Sequence, residues 1–176
     1  YKGTHIFKSG TPDKELPVKI NDYLPKDITG LIDKDVANVG TPSQKTHEDT
    51  KNDGTWNFTK WDQEQKTIDK ADVQFEGIWV FTPNEYKVTH EFVSGTKDRE
   101  LPAVIKGWTP GNQNGKLNGD TVVPGEVKDK SYKDVANDGN WLFVNWDKNS
   151  KVINKADEHF IGIWVFIPNE YKVTHE

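Results

Sequence analysis

The spacing of apolar positions changes several times along residues 1–85, and each spacing predicts an element. The opening stretch "YKGTHIFKS" (1–9) has β-branched and aromatic character and runs into Gly10 and Thr11, which predicts a first strand. In "DKELPVKINDYLP" (13–25), Leu16, Ile20 and Tyr23 or Leu24 recur at spacings of three and four. That stripe predicts one short helix, capped by Asp13, with Pro17 in its first turn and Pro25 at its end. Residues 26–54 are rich in Gly, Asp, Asn and Thr and read as loop, with a strand late in it near 46–50. "NDGTW" (52–56) supplies an Asp-Gly turn signal between strands. After it Trp56 and Phe58 alternate on one face. Trp61 falls on the opposite parity, so the strand must bulge or end before it. In "DVQFEGIWVF" (72–81), Val73, Phe75, Gly77, Trp79 and Phe81 share one face while Ile78 and Val80 make the other apolar. A strand apolar on both sides belongs in the interior of a sheet.

The whole pattern then starts again. Tyr1, Tyr86 and Tyr171 stand 85 residues apart, and the register holds without a gap. Leu16-Pro17 falls on Leu101-Pro102, Trp56 and Trp61 on Trp141 and Trp146, and "FEGIWVFTPNE" (75–85) on "FIGIWVFIPNE" (160–170). About 40 of 85 aligned positions are identical. The second copy keeps the helical stripe in Leu101, Ile105 and Trp108, although Gly107 weakens it by about 1 kcal/mol relative to Ala. Its late strand is expected near 131–135. The expected organisation is two small domains, 1–85 and 86–170, with 171–176 as the first strand of a following, truncated copy. Each is expected to be α+β, one short helix packed on a largely antiparallel sheet in the order β-α-β-β-β, with the copies end to end as a rod.

Composition narrows the class. Domains this small bury only about 60–65% of the surface of their unfolded chains, so each needs a compact aromatic core. Seven Trp, eight Phe and five Tyr can supply it, since each large ring removes about 150–250 Å² from water. The rest is polar, with 29% charged residues. No run approaches the roughly 20 apolar residues of a membrane-spanning helix. A net charge of −5 argues against a nucleic-acid partner. The chain has no Cys, hence no disulfide framework and no thiolate chemistry.

Candidate chemistry is sparse. His5 and His90 recur without a second His or Cys at metal spacing, so they read as packing residues. The acids at Asp33, Asp35 and Asp53 lack the ladder of a Ca²⁺ loop, and no phosphate loop or nucleophile elbow is present. The expectation is no catalytic residue, no metal ligand and no cofactor: the chain is not an enzyme. A Lys–Asn crosslink beside an acid would need Lys70, Asn84 and Glu85 (and Lys155, Asn169 and Glu170) buried together, whereas "PNE" sits at a boundary. Trp56, Trp61 and Trp79 recur and serve the core. Trp108 replaces Tyr23 and is expected to be the Trp most open to solvent, which keeps a glycan-binding reading in view.

"YKVTHEFVSGTKDRELP" (86–102), the Asp-Gly-x-Trp-x-Phe hairpin and "INKADEHFIGIWVF" (153–166) resemble the SHIRT domain, the streptococcal high-identity tandem repeat. The resemblance covers nearly the whole length of both copies. It implies a monomeric, extracellular stalk segment of a Gram-positive, cell-wall-anchored adhesin, whose repeats hold an N-terminal ligand-binding domain away from the surface. Neighbouring repeats are then the chain's own partners, and host ligands belong to a domain outside this stretch. The alternative is a repeat that itself holds host glycan or protein weakly and gains by multivalency. From the residues, the stalk rests on the inter-repeat junction Thr82, Pro83, Asn84, Glu85 and Tyr86. Between a strand ending at Phe81 and one starting at Tyr86 lie only "TPNE", where Pro83 fixes its own φ and biases Thr82 to an extended form.

Overall fold

A computed structural model describes all residues 1–176. The chain divides into two compact units, Tyr1–Asn84 and Glu85–Glu176.

The first unit contains strands β1 (Gly3–Ser9), β2 (Val36–Asn38), β3 (Thr46–Asp49), β4 (Gly54–Trp61), β5 (Gln65–Thr67) and β6 (Val73–Pro83). Its main sheet has the order β1-β6-β4-β3, with β1 parallel to β6 and the other pairs antiparallel. The strand apolar on both sides, β6, lies inside the sheet as its pattern predicts. The late-loop strand is present as β3. What the sequence did not signal is β2, which pairs with β5 in a separate ladder of three residue pairs. Val36-Ala37-Asn38 is too short to show a period, and only Ala37 of the three is buried.

The predicted helix shrinks to a single 3₁₀ stretch, Val18–Tyr23. Pro17 is its N-cap, and Asp13 is a left-handed turn residue at φ 58° instead of a cap. The stripe itself survives: Ile20 is fully buried, and Leu16, Tyr23 and Leu24 pack against the same core. The unit is therefore dominated by sheet, a correction to the α+β expectation. Pro17 and Pro25 bracket too few residues for a longer helix.

The second unit repeats this plan with one further strand at the edge of its main sheet. Strands β7 (Glu85–Ser94), β8 (Gln113–Leu117), β10 (Ser131–Asp134), β11 (Gly139–Trp146) and β13 (Glu158–Pro168) form a sheet in the order β10-β11-β13-β7-β8, and β9 (Thr121–Val122) pairs with β12 (Lys151–Val152). A one-turn helix α1 (Ala103–Lys106) stands where the 3₁₀ stretch was, ended by Gly107.

A cross-strand row organises each core. In the first unit the row is Phe7–Gly77–Trp61, from β1, β6 and β4. Phe7 and Trp61 stack across the glycine at 5.6 Å between ring centroids. A Cβ on Gly77 would come within 2.8–2.9 Å of the Phe58, Phe7 and Trp61 rings, so the glycine is the gap the rings fill. Phe92–Gly162–Trp146 is the same row in the second unit, with the rings at 5.5 Å. Trp61 reaches the row because β4 bulges between Phe58 and Lys60, which shifts its parity. β11 bulges at the same place, between Phe143 and Asn145. Trp56, Trp79, Trp141 and Trp164 are fully buried around these rows.

Candidate functional site

The five junction residues lie at the meeting of two long strands. Thr82 and Pro83 end β6, Glu85 and Tyr86 begin β7, and Asn84 alone stands outside both. The link is thus one residue instead of the four expected, because β6 keeps pairing with β4 through Thr82 and Pro83. Pro83 brings no N–H to a ladder, and it stands at the last position of β6. It sits opposite Gly54, where a Cβ would lie 2.5 Å from the Thr82 carbonyl oxygen. Gly54 is therefore required by close packing. The left-handed residue of the turn is Asp53 at φ 53°.

Asn84 is tied twice to that turn. Its backbone N–H donates to the Asp53 carbonyl at 2.9 Å and its Nδ2 to Asp53 Oδ1 at 2.9 Å. The second unit repeats both bonds between Asn169 and Asp138, each at 2.9 Å. There Tyr171 adds its hydroxyl, which donates to both Asp138 carboxylate oxygens at 2.9 and 3.0 Å. These bonds, Asn169 first and Tyr171 second, hold the Asp138 carboxyl below its ordinary range. The bond to Asp138 raises the Tyr171 phenol. Nothing local in the sequence joins residues 31 apart, yet both partners recur one period later, and the period was the available signal.

The buried polar groups are structural. Asp49, 6% exposed, accepts from the Trp56 indole N–H at 3.0 Å, from Asn52 Nδ2 at 2.8 Å and from the Asn52 backbone at 3.1 Å. Burial pushes its carboxyl up, but the bonds from Asn52 and Trp56 outweigh that and hold it below the ordinary range. Asp134 has the same partners in Asn137 and Trp141, whose bonds also hold it low. His5 accepts at Nε2 from the Gly40 N–H at 3.1 Å, and His90 from Gly125 at 2.8 Å. Each therefore carries its proton on Nδ1 and is neutral. Burial lowers both imidazoles.

Lys70, Asn84 and Glu85 are all exposed, as are Lys155, Asn169 and Glu170, so neither set shares the buried environment a crosslink needs. No group of three or more His, Cys, Asp or Glu side chains comes together in metal-binding geometry. The arrangement at the junction, a carboxylate held by neutral amide and phenol donors, positions backbone and pairs no nucleophile with a base.

Two comparisons place this architecture. The sequence model of the SHIRT domain matches residues 1–82 and again 84–167. Among solved structures, streptococcal high identity repeats in tandem (SHIRT) domains 3–4 from a cell surface protein share 43% identity, with a TM-score of 0.69, over 96% of this chain and 99% of that one. SHIRT domain 10 from a cell surface protein shares 39% identity over 48% of this chain and 99% of its own, at a TM-score of 0.45. SHIRT domain 2 shares 36% over 46% of this chain and 93% of its own, at 0.35. No curated protein matches. Two matched spans, one per unit, cover nearly the whole chain, and so it belongs to the SHIRT family as two consecutive domains.

Proposed function

We propose that this chain is a stalk segment of an extracellular, cell-wall-anchored surface protein. In this reading, tandem repeats joined end to end as a rod project an N-terminal ligand-binding domain from the cell. The solved relatives come from a cell surface protein, which supports the surface location. One observation carries the mechanical part. A single residue, Asn84, separates β6 from β7, and its amide and side chain are both fastened to the Asp53 turn, a device that recurs at Asn169 and Asp138. A Gly/Ser tether would leave the next strand free to swing; a one-residue link with two hydrogen bonds and a preceding proline leaves few backbone angles to vary. The chain acts as a monomer whose partners are its own neighbouring repeats.

The test is a distance distribution between spin labels, one on each unit, in the parent and in a Pro83→Gly, Asn84→Gly double variant. Both residues are exposed, so each unit stays folded. The parent distribution should be narrow and the variant broad, because glycine reopens the φ/ψ space that proline closes. A parent as broad as the variant means beads on a string, and the stalk reading fails.

A further inference from the structure

The two units share one backbone frame at the end of the helical turn but line it differently. In the second unit a cavity of about 270 Å³ opens between the segment after α1 and the loop before β10. The frame is held by Gly125, where a Cβ would lie 2.5 Å from Pro110 Cβ; Gly40 and Pro25 make the same approach, also at 2.5 Å, in the first unit. On that common frame the lining has changed. Trp108 stands for Tyr23, Glu126 for Thr41, Lys128 for Ser43 and Asp129 for Gln44. Tyr23 turns its hydroxyl to His47 Nδ1 at 3.1 Å. Trp108 instead rests its ring edge-on against Tyr132 at 5.8 Å and beside the buried Trp164 at 6.1 Å, and stays half-buried at the cavity wall. Glu126, Lys128 and Asp129 are exposed and engaged in no salt bridge or side-chain hydrogen bond.

We propose that this cavity is a carbohydrate site specific to the second unit, taking one hexopyranose ring of an oligosaccharide against the Trp108 indole. An indole face held rigid by the core presents an apolar platform to the C–H face of a sugar at little entropic cost. A sugar hydroxyl both donates and accepts, and the rim offers both partners: Glu126 and Asp129 accept, and Lys128 donates. Lys128 opposes a cationic side chain that the indole and the two carboxylates would attract, and it supplies the donor that a sugar hydroxyl needs.

The intact chain would be screened against an array of host and bacterial glycans, and the hits titrated while the Trp108 indole N–H is followed by NMR. At least one hexopyranose oligosaccharide should shift that signal saturably at millimolar concentration, leaving the Trp56 and Trp79 indoles of the first unit in place. Trp108→Ala should weaken binding about tenfold or more. Because Trp108 also packs on the core, Glu126→Gln and Asp129→Asn provide a second arm at exposed positions, each expected to weaken binding about threefold to tenfold. The absence of any sugar response up to about 20 mM overturns the proposal, as does sugar binding that all three variants leave unchanged. A response to tetramethylammonium or N-acetyl-lysine amide without one to sugars also overturns it and makes the cavity a cation site.

Discussion

The two units keep one central aromatic row and present two different outer sheet faces. On the first unit that face reads Lys8 on β1, Glu76, Ile78, Val80 and Thr82 on β6, and Asn57 and Thr59 on β4. The matching positions on the second unit are Val93 on β7, Ile161, Ile163, Val165 and Ile167 on β13, and Leu142 and Val144 on β11. Five polar side chains have become aliphatic, while Ile6 on β1 has become the charged Glu91 on β7, and Leu142, Val144 and Ile167 are 38%, 51% and 48% exposed. The central row shows no such drift: Phe, Gly and Trp occupy the same positions in both, although elsewhere on the inner face Gly3 becomes Val88 and Val73 becomes Glu158. The difference locates what the fold requires. A row of rings closed over a glycine tolerates no change of volume, whereas an outward position of a sheet solvated on one side only has to fit a strand.

That contrast is sharpest at the central glycine, where the largest effect is expected. Gly77→Ala drives a methyl into three rings, with Phe58 and Phe7 at 2.8 Å and Trp61 at 2.9 Å, none at the end of a flexible chain. It should destabilise the first unit by about 1–3 kcal/mol, the usual range for overpacking. Gly162→Ala meets Phe92 at 2.7 Å and Phe143 at 3.0 Å and should do the same to the second. Urea unfolding followed by unit-specific amide NMR signals checks both, since a chain of two domains does not guarantee one transition. A loss below about 0.5 kcal/mol in both would remove the aromatic row as the basis of the fold.

The next effect is set by the two imidazoles packed against Trp61 and Trp146. The folded pKa values of His5 and His90 are below the ordinary 6.5, mainly through burial. Above pH 6.5 each is neutral in both folded and unfolded states and stability is complete. As pH falls through 6.5 toward the folded value, the unfolded chain takes up the proton first, so stability declines in that window. The decline is expected in both units. Asp27 partly offsets the shift of His5; His159 adds to that of His90, and the Pro110 and Gly111 backbone partly offsets it. Urea midpoints per unit at pH 7.5, 6.5 and 5.5 report this. His90→Gln, which keeps an acceptor for the Gly125 N–H, should flatten the second unit's curve. Equal slopes in parent and variant would count against the imidazole as the cause.

Several of these features are legible in the sequence. The period, the inner face of β6, the bulge before Trp61 and the strand near Thr46 all followed from spacing, because each is written in neighbours two to five residues apart. The Asp-Gly signal found the hairpin for the wrong reason: Asp53 takes the left-handed angle, and Gly54 is small because β6 passes close by. The helix was overestimated because a 3.6-residue stripe needs only one turn to place Leu16, Ile20 and Tyr23 on the core. The β2–β5 ladder and the Asn84–Asp53 tie left no local trace, since their partners lie about 30 residues apart.

The smallest effect expected is also the one that most directly probes the two faces. Leu142→Asn and Val144→Thr give the second unit the residues of the first at positions that are 38% and 51% exposed. Leu142 pairs with Val165 and Ser131, so it has apolar contact on one side only. Losing that contact removes a partly solvated cross-strand pair worth about 0.2–1 kcal/mol, and threonine at a bulged strand position recovers part of it through its β-branch. The double substitution should therefore shift the second unit's stability by about 0.5 kcal/mol or less, while the reverse pair, Asn57→Leu with Thr59→Val, moves the first unit as little. Thr59 donates its hydroxyl to the Ile78 carbonyl at 2.9 Å, so the reverse pair is the sharper of the two. If either swap costs about 2 kcal/mol or more, the outer face is part of the folding core of its unit, and the division between a fixed interior and a free exterior does not hold.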